Sequence, residues 1–597
     1  MDIAQRQCGA GFLLYETDPD DILTPEDMDD DQRMMMTSIR DFAEREVIPA
    51  MDEIEKRNWD VIQPLFKKAA DLGIFMAEVP EEYGGLGLSV LGIAGMNESR
   101  SYLGGMSSTI FAHQGIGTLP LINFGTREQI DRYLDRCMSG EIMAAFALTE
   151  PSSGSDAMNI KTAAVLNDRG THYIVNGSKQ FITNAGWANL FILFAKVDGV
   201  HFTAFLLDGD TPGITVGPNE KLLGLHGSSV CPLTLENVEI PVENVLGEVG
   251  KGHKVALCTL NLGRLKMSAN CTGSAKKVLE CAATYAGERY QFGNPIAEFG
   301  LIRRKLSDMA ARLYATESIA YRTAGLVYRA IEAMDEKDRH SIDAKLKALA
   351  EFSIECALAK VHGAEMYNAL ADEALQIHGG YGYSEEYPAA KMYRDSRITR
   401  IYEGTSEICR LTALKAILKR SAKGDLPIGE AIRGVEPRSA PDGSVDRDTG
   451  LTGLREGVTD LKRIFLYVMG ETVDRFGHEQ LLDNDNQQLL SDLADIAIEI
   501  YAVESAVLRV LKLCKHHEAD RTQLPQALTR IYFERAATRV REKAVEILTT
   551  LHEGDALRER LATIAGWQPL PVKRAELDEY IARTIVENKG VLPEYRN

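Results

Sequence analysis

Cysteine is scarce and unpatterned: nine residues in 597, scattered from Cys8 to Cys514, with no CxxC pair and no Cys/His set at zinc spacing. A disulfide framework and a structural zinc site are disfavoured, and buried free thiols in a reducing compartment are expected. Cys514, His516 and His517 adjoin in sequence, but adjacent positions of one helix point in different directions, so no metal is expected there. Long apolar runs are missing too. Nothing approaches the roughly 18 apolar residues of a spanning helix. The N-terminus has neither an apolar signal core nor an Arg-rich amphipathic pattern and is instead acidic, with Asp18, Asp20, Asp21, Glu26, Asp27, Asp29, Asp30 and Asp31. The expected location is cytoplasmic. An excess of positive charge is also lacking: the formal net charge is -20, which argues against nucleic acid as a partner. There is no GxGxxG after a strand, no GxxxxGK[ST], no HExxH and no GxSxG. A Rossmann cofactor site, a P-loop, a zincin and a hydrolase elbow are each disfavoured.

What is present is an ordinary globular composition, 45% apolar and 26% charged, in a chain long enough for two to four domains. Thr24-Pro25-Glu26-Asp27 reads as a helix start, with a Thr cap, Pro at the first position and acids in the first turn. Helical spacing of Met35, Ile39 and Phe42, then of Ile62, Leu65, Ala69 and Leu72, predicts an α domain over 25–144. The period then changes. THYIVNGSKQFIT carries β-rich flanks around Asn176-Gly177, a strong hairpin signal. NLFILFAKV, HFTAFLLDG and PLTLENVEI follow, so 145–250 reads as a β domain. Helical periodicity returns over 251–423, as in Ile354, Ala357, Leu358, Val361 and Ala364, predicting a bundle. Gly, Pro, Asp and Ser fill 424–450, read as a linker, and 451–597 reads as a further α domain striped by Leu489, Leu490, Leu493, Ala494, Ala497 and Ile500. The helix around Lys512–His517 reads as a solvated face in preference to a lipid-binding one.

Small and polar residues cluster at the domain joints: LTEPSSGSD from Leu148, FITN from Phe181, RYQFG from Arg289, QIHGGYGYSEEYPAAKMYRD from Gln376 and IYEGT from Ile401. Each has a structural reading alone. The first could be a turn entering the sheet, HGGYGY a helix C-cap, and Glu403 a solvated charge.

Taken together and in order, these stretches resemble the acyl-CoA dehydrogenase family over about residues 30 to 425. Gln376, Gly379, Gly380, Gly382, Tyr383, Glu386, Lys391 and Asp395 fit its second signature, and LTEPSSGSD fits its first, with Asn159 departing from the usual small residue. The nearest likeness is to the very-long-chain branch, which also has an extra C-terminal helical domain. The resemblance implies an α domain, a β-barrel-like domain and an α bundle, followed by that extra domain, with FAD as cofactor.

It further implies desaturation of a fatty acyl-CoA between Cα and Cβ, with Glu403 as the base that removes the α proton. A weakly acidic α proton calls for a base of matched pKa, which burial of a carboxylate provides. Gly263, where some relatives carry the base, cannot accept a proton. The same resemblance assigns the flavin to Phe146, Leu148, Thr149, Gly154 and Ser155, to Phe181, Ile182 and Thr183 against the ring, and to Gln376, Ile377, His378, Gly379, Gly380, Thr405, Ser406 and Glu407. Phe181 stands where many relatives have Trp. Arg289, Gln291 and Phe292 are assigned to the adenosine end of a neighbouring subunit's FAD, which implies at least a homodimer. Ser155, Asn261, Arg264 and Gly404 are the implied substrate contacts, and Ser108, Phe111 and Ala112 line the implied acyl tunnel. Electron-transferring flavoprotein is the implied partner, and the branch suggests a peripheral membrane contact through the C-terminal domain. An acyl-CoA oxidase and a non-catalytic scaffold on the same fold remain alternatives.

Overall fold

The computed structural model describes residues 8–339, 341–435, 450–567 and 572–593. Two compact units divide the chain: one holds Asp29–Lys266 with Met334–Leu349, the other the segment through Met28, Met267–Ala333 and everything from Ala350 onward.

The first unit opens with principal helices α1 (Asp30–Phe42), α2 (Trp59–Asp71), α3 (Val90–Arg100) and α4 (Arg127–Met138). Thr24 does form a capping box with Asp27, but around a single 3-10 turn, and α1 starts only at Asp30 with Asp29 as its cap. Two start signals lie five residues apart, and the chain uses both. Ile39, Phe42, Ile62, Leu65 and Phe66 then pack on Ile74, Met96 and Ile110.

An eight-stranded sheet follows, made of β1 (Ala144–Ala147), β2 (Ala163–Leu166), β3 (His172–Thr183), β4 (Leu190–Val197), β5 (His201–Asp208), β6 (Ile214–Val216), β7 (Val230–Pro241) and β8 (Val245–Leu246). The order is β6-β7-β3-β2-β4-β5-β8, with β1 parallel to β4. The unbroken apolar run of β4 reflects burial on both faces. Leu190, Ile192 and Phe194 pack with Tyr133 and Leu134 of α4, while Phe191, Leu193 and Ala195 pack with Val175 and Leu233.

Asn176-Gly177 does not turn the chain, contrary to the hairpin expectation. β3 runs straight through it, antiparallel to β7, with a register shift between Val175 and Gly177. The Asn176 side chain instead accepts the Asn237 N–H at 2.8 Å. A Cβ at Gly177 would lie 2.5 Å from Thr162 Oγ1, so glycine serves close packing at a bulge. Pairing with β2 and β7 on either side outweighs the local turn preference.

α5 (Gly252–Glu288) carries the chain from one unit into the other. The second unit continues with a hairpin, β9 (Tyr290–Gln291) and β10 (Asn294–Pro295), then α6 (Gly300–Glu332), α7 (Ser353–His378), α8 (Pro388–Arg397) and α9 (Ser406–Lys423). Its C-terminal helices are α10 (Leu451–Gln480, broken at Gly477), α11 (Gln487–His516), α12 (Ala519–Leu551), α13 (Gly554–Ala565) and α14 (Arg574–Glu587). One apolar core runs through both sets of helices, joining Leu306, Leu358 and Leu414 to Phe465, Leu493 and Tyr532. The expected linker begins with a short helix, Ile428–Arg433, and its residues 436–449 lie outside the described residues.

The acidic N-terminal segment packs in this same unit. Lys512 is buried, 2.6 Å from Asp27 and donating to the Ile22 carbonyl at 3.0 Å, so at this position the expected solvated face is replaced by an ion pair. All nine cysteines are free. Among the described residues no helix is long and apolar enough to cross a membrane, and no group of His, Cys, Asp or Glu is arranged to hold a metal.

Candidate active site

In the first unit the candidate residues gather where β1 and β3 end. Phe146, half-buried, has its ring 5.0 Å from that of Phe194. Leu148 is buried, and its carbonyl accepts from Lys179 Nζ at 3.2 Å. Lys179 is fully buried and pairs with Glu150 at 2.8 Å, while Glu150 also accepts the Lys161 and Thr162 N–H groups at 2.6 and 3.1 Å. Burial lowers the Lys179 ammonium to about 8. For Glu150 burial acts in the opposite sense, yet the Lys179 charge and the hydrogen bonds hold it below the usual carboxylate range. The clamp fixes the loop from Thr149, whose carbonyl accepts the Gln180 N–H at 2.9 Å, to Gly154 and exposed Ser155.

Phe181 sits at a second bulge of β3, between Lys179 and Ile182. Its φ is 57°, a left-handed conformation that costs an aromatic residue roughly 1–3 kcal/mol, and its side chain is 57% exposed. A bulge re-aims one side chain out of the sheet, and here it presents a ring to solvent. Ile182 points the other way, into the sheet core, and Thr183 ends the strand half-buried. On α5, buried Arg264 donates to Asn261 Oδ1 at 3.1 Å, one turn away.

In the second unit α7 ends at His378 with Gly379 as a cap at φ 59°. The resulting bend leaves Gln376, Gly379 and Gly380 exposed. Ile377 and His378 turn inward: the His378 ring stacks on Tyr285 at 4.0 Å, and its Nδ1 donates to the Ala374 carbonyl at 2.7 Å. Burial lowers the imidazole pKa, so the ring is a neutral support. The β9–β10 hairpin turns through Phe292 and Gly293 at φ 52° and 88°, the pattern of a tight primed turn. Phe292 is 91% exposed at its tip. Gln291 is exposed beside it, and the Arg289 guanidinium lies over the Tyr381 ring at 5.3 Å.

Glu403 lies on the loop between the 3-10 turn Ile398–Arg400 and α9. Its φ is 56°, followed by Gly404 at 87°. α7 holds both ends of this loop. Asn368 donates to the Ser396 carbonyl at 2.8 Å and to Thr399 Oγ1 at 3.0 Å on the entry side, and fully buried Lys360 donates to the Gly404 carbonyl at 2.5 Å on the exit side. Thr405 caps α9 by accepting the Ile408 N–H at 3.2 Å. Ser406 is buried, and exposed Glu407 is held below the usual range by its own N–H at the helix start.

Three family models for successive acyl-CoA dehydrogenase domains match this chain: N-terminal at 29–141, middle at 145–238 and C-terminal at 250–418. The chain belongs to the acyl-CoA dehydrogenase family. A further acyl-CoA dehydrogenase C-terminal-domain model matches 460–565. A probable acyl-CoA dehydrogenase of Bacillus subtilis (strain 168) is 42% identical over 571 residues, covering 94% of each chain. The human mitochondrial very long-chain specific acyl-CoA dehydrogenase is 34% identical, covering 83% of this chain and 75% of the other. A crystal structure of an acyl-CoA dehydrogenase complexed with FAD from Bacillus anthracis matches with a TM-score of 0.93 at 40% identity, over 98% of this chain and 99% of that one.

Four residues that hold the candidate loops in place carry no assignment from the sequence: Glu150, Lys179, Asn368 and Lys360. Glu150 and Lys179 stand inside LTEPSSGSD and THYIVNGSKQFIT among other polar residues, so nothing in either string marks them as partners. Lys360 and Asn368 lie in a helical stretch with no local signal, because their partners Gly404 and Ser396 are 44 and 28 residues away.

Proposed function

We propose that the protein is a FAD-dependent dehydrogenase of fatty acyl-CoA thioesters, desaturating between Cα and Cβ, with Glu403 as base. The observation that carries the reading is the conformation of Glu403: a glutamate held left-handed beside Gly404, its loop fixed from α7 by Asn368 and Lys360. Strain of this kind persists where surrounding contacts impose it and clusters at functional positions.

The residues assigned to FAD fit a broad, phosphate-bearing ligand. A Cβ added at Gly154, Gly379 or Gly380 would meet no atom within 4 Å, so their backbone lies open to close approach. Phe181 offers an exposed ring for stacking. Bound FAD supplies the acceptor for the β hydride. The Glu403 carboxylate takes the α proton, and the fixed loop aims it without reorganisation at the moment of transfer. Arg264, kept in place by Asn261, contributes positive charge to binding the acyl-CoA, with Ser155 and Gly404 as further contacts. Phe111 is braced by the Arg100 guanidinium 4.7 Å from its ring, so as a tunnel residue it would resist displacement by a long chain. Electrons pass on to electron-transferring flavoprotein, and the exposed β9–β10 tip serves a homodimer in which Arg289, Gln291 and Phe292 reach the partner's FAD.

The test is an anaerobic titration of the holoenzyme with acyl-CoAs from short to very long chains, following bleaching of the oxidised-flavin band, alongside Glu403→Gln. Bleaching of wild type but not of the variant is expected, and the most effective chain names the substrate. A variant that bleaches at the wild-type rate removes Glu403 from the mechanism, and a wild type that no acyl-CoA bleaches favours the scaffold alternative.

A further inference from the structure

Helices α6, α7, α9, α11 and α12 converge in the second unit on a cleft whose charges do not balance. Four guanidinium groups line it, those of Arg312, Arg410, Arg535 and Arg539, against three carboxylates, those of Glu365, Asp495 and Glu499. With all seven ionised, four minus three leaves one positive charge. The pairing leaves two arginines over. Arg410 bridges Glu365 and Asp495, each at 2.8 Å, and Arg539 pairs with Glu499 at 3.1 Å. The Tyr532 hydroxyl donates to the other Glu499 oxygen at 2.8 Å. All three carboxylates are thereby engaged by two of the four arginines. Among the described residues neither Arg312 nor Arg535 forms an ion pair.

Both are half-buried, and they face each other's charge: burial first, and then Arg535, draw the Arg312 guanidinium down to about 10. His362 stays neutral in the same wall, pushed to about 3 by burial and by Arg312, so it adds neither a charge nor a counter-charge. Leaving two like charges together out of bulk water is costly unless something compensates them. A guanidinium pair matches an oxyanion, which each fork can grip with two N–H groups.

We propose that this cleft binds a small tetrahedral oxyanion between Arg312 and Arg535, either inorganic phosphate or the phosphate end of a small monoester. Because Arg312 belongs to α6 and Arg535 to α12, the bound anion would tie the C-terminal helices to the bundle that carries Glu403. The cleft uses none of the residues assigned to FAD or acyl-CoA, so the inference stands apart from the proposed reaction.

Melting temperature and calorimetric binding of the holoenzyme, with inorganic phosphate and separately with glycerol phosphate, at ionic strength held constant with sodium chloride, form the test. The melting temperature of wild type should rise saturably with at least one of the two anions, and the tighter one identifies the source. Arg535→Gln should weaken that binding at least tenfold. Without the anion it should melt at or above wild type, because a repulsion has been removed. An arginine that only packs would show the opposite sign. Arg312→Lys retains the charge but loses the fork, and should give an intermediate affinity even if Arg535→Gln folds poorly. The proposal fails if neither anion binds wild type, if chloride alone reproduces the shift, or if both variants bind as wild type does.

Discussion

Arg509 and Glu403 are charged residues held by helices of the same unit, and the chain treats them in opposite ways. Arg509 is buried on α11 and donates to both oxygens of Glu26, at 2.6 and 3.1 Å, and to Glu317 at 2.6 Å, with the Tyr314 ring 4.5 Å from its guanidinium. Its neighbours follow suit: Lys512 pairs with Asp27, and Arg322 and Lys462 share Glu504 at 2.9 and 2.5 Å. This cluster fastens the acidic N-terminal segment, and each of these cations meets a carboxylate. Around Glu403 the loop is held from α7 by Asn368 and Lys360, but the backbone is strained at the residue proposed as base. One place lowers the free energy of the fold; the other spends some of it on geometry.

That contrast predicts a double dissociation. Glu403→Gln keeps the backbone and the size of the side chain and removes the proposed base, so turnover should fall by about 10³–10⁴-fold, about 4–5.5 kcal/mol of barrier, with an unchanged urea midpoint. Arg509→Met should do the reverse. Removing one partner of a buried ion pair costs about 3–5 kcal/mol, so the midpoint should drop while flavin bleaching by acyl-CoA in the surviving folded protein stays at the wild-type rate. A loss of turnover in Arg509→Met out of proportion to unfolding would merge the two regions.

Legibility in the sequence follows the same division. The residues of unusual backbone were readable because geometry restricts their identity: Gly379 at the end of α7, Gly404 beside Glu403, and the Phe292-Gly293 turn all lie in motifs that stood out as strings. The order α, β, α was readable from the change of hydrophobic period. Pairings across long separations were not. Arg509 and Glu26 are 483 residues apart, and nothing near Lys512 signals that Asp27 will cover it, so that helix read as solvated. Asn176-Gly177 misled for the same reason in reverse: its local turn preference is strong, and the strands on either side of β3 are invisible from within the dipeptide. The balance of charge in the Arg312 and Arg535 cleft depends on five helices and could not be counted from any one of them.

Within the N-terminal fastening one acid breaks the rule of pairing, and it sharpens the comparison by its pH dependence. Glu355 is buried on α7, accepts the Ala10 N–H at 2.6 Å, and is raised by burial from 4.5 to about 7. The folded protein therefore keeps this proton up to about pH 7, whereas the unfolded chain releases it near 4.5. The stability associated with it is fully present below the lower value and declines until the higher one is passed, by at most on the order of 3 kcal/mol. Glu355→Gln keeps the acceptor for Ala10 without the titration, so it should be more stable than wild type above pH 7, and its urea midpoint should fall less between pH 5 and 7. Parallel pH profiles for the two proteins would show that Glu355 does not carry this linkage.

The smallest effect addresses the strain itself. Asparagine tolerates φ near 56° better than glutamate does, so Glu403→Asn should raise stability by about 0.5–1 kcal/mol while turnover falls as it does in Glu403→Gln. Glu403→Gln is the control, because glutamine relieves nothing. If asparagine and glutamine variants melt together, the loop accommodates the left-handed turn at no cost, and the conformation of Glu403 ceases to be a sign of function. If only asparagine stabilises, the loop bears a measurable strain that glutamate retains for the sake of where its carboxylate points.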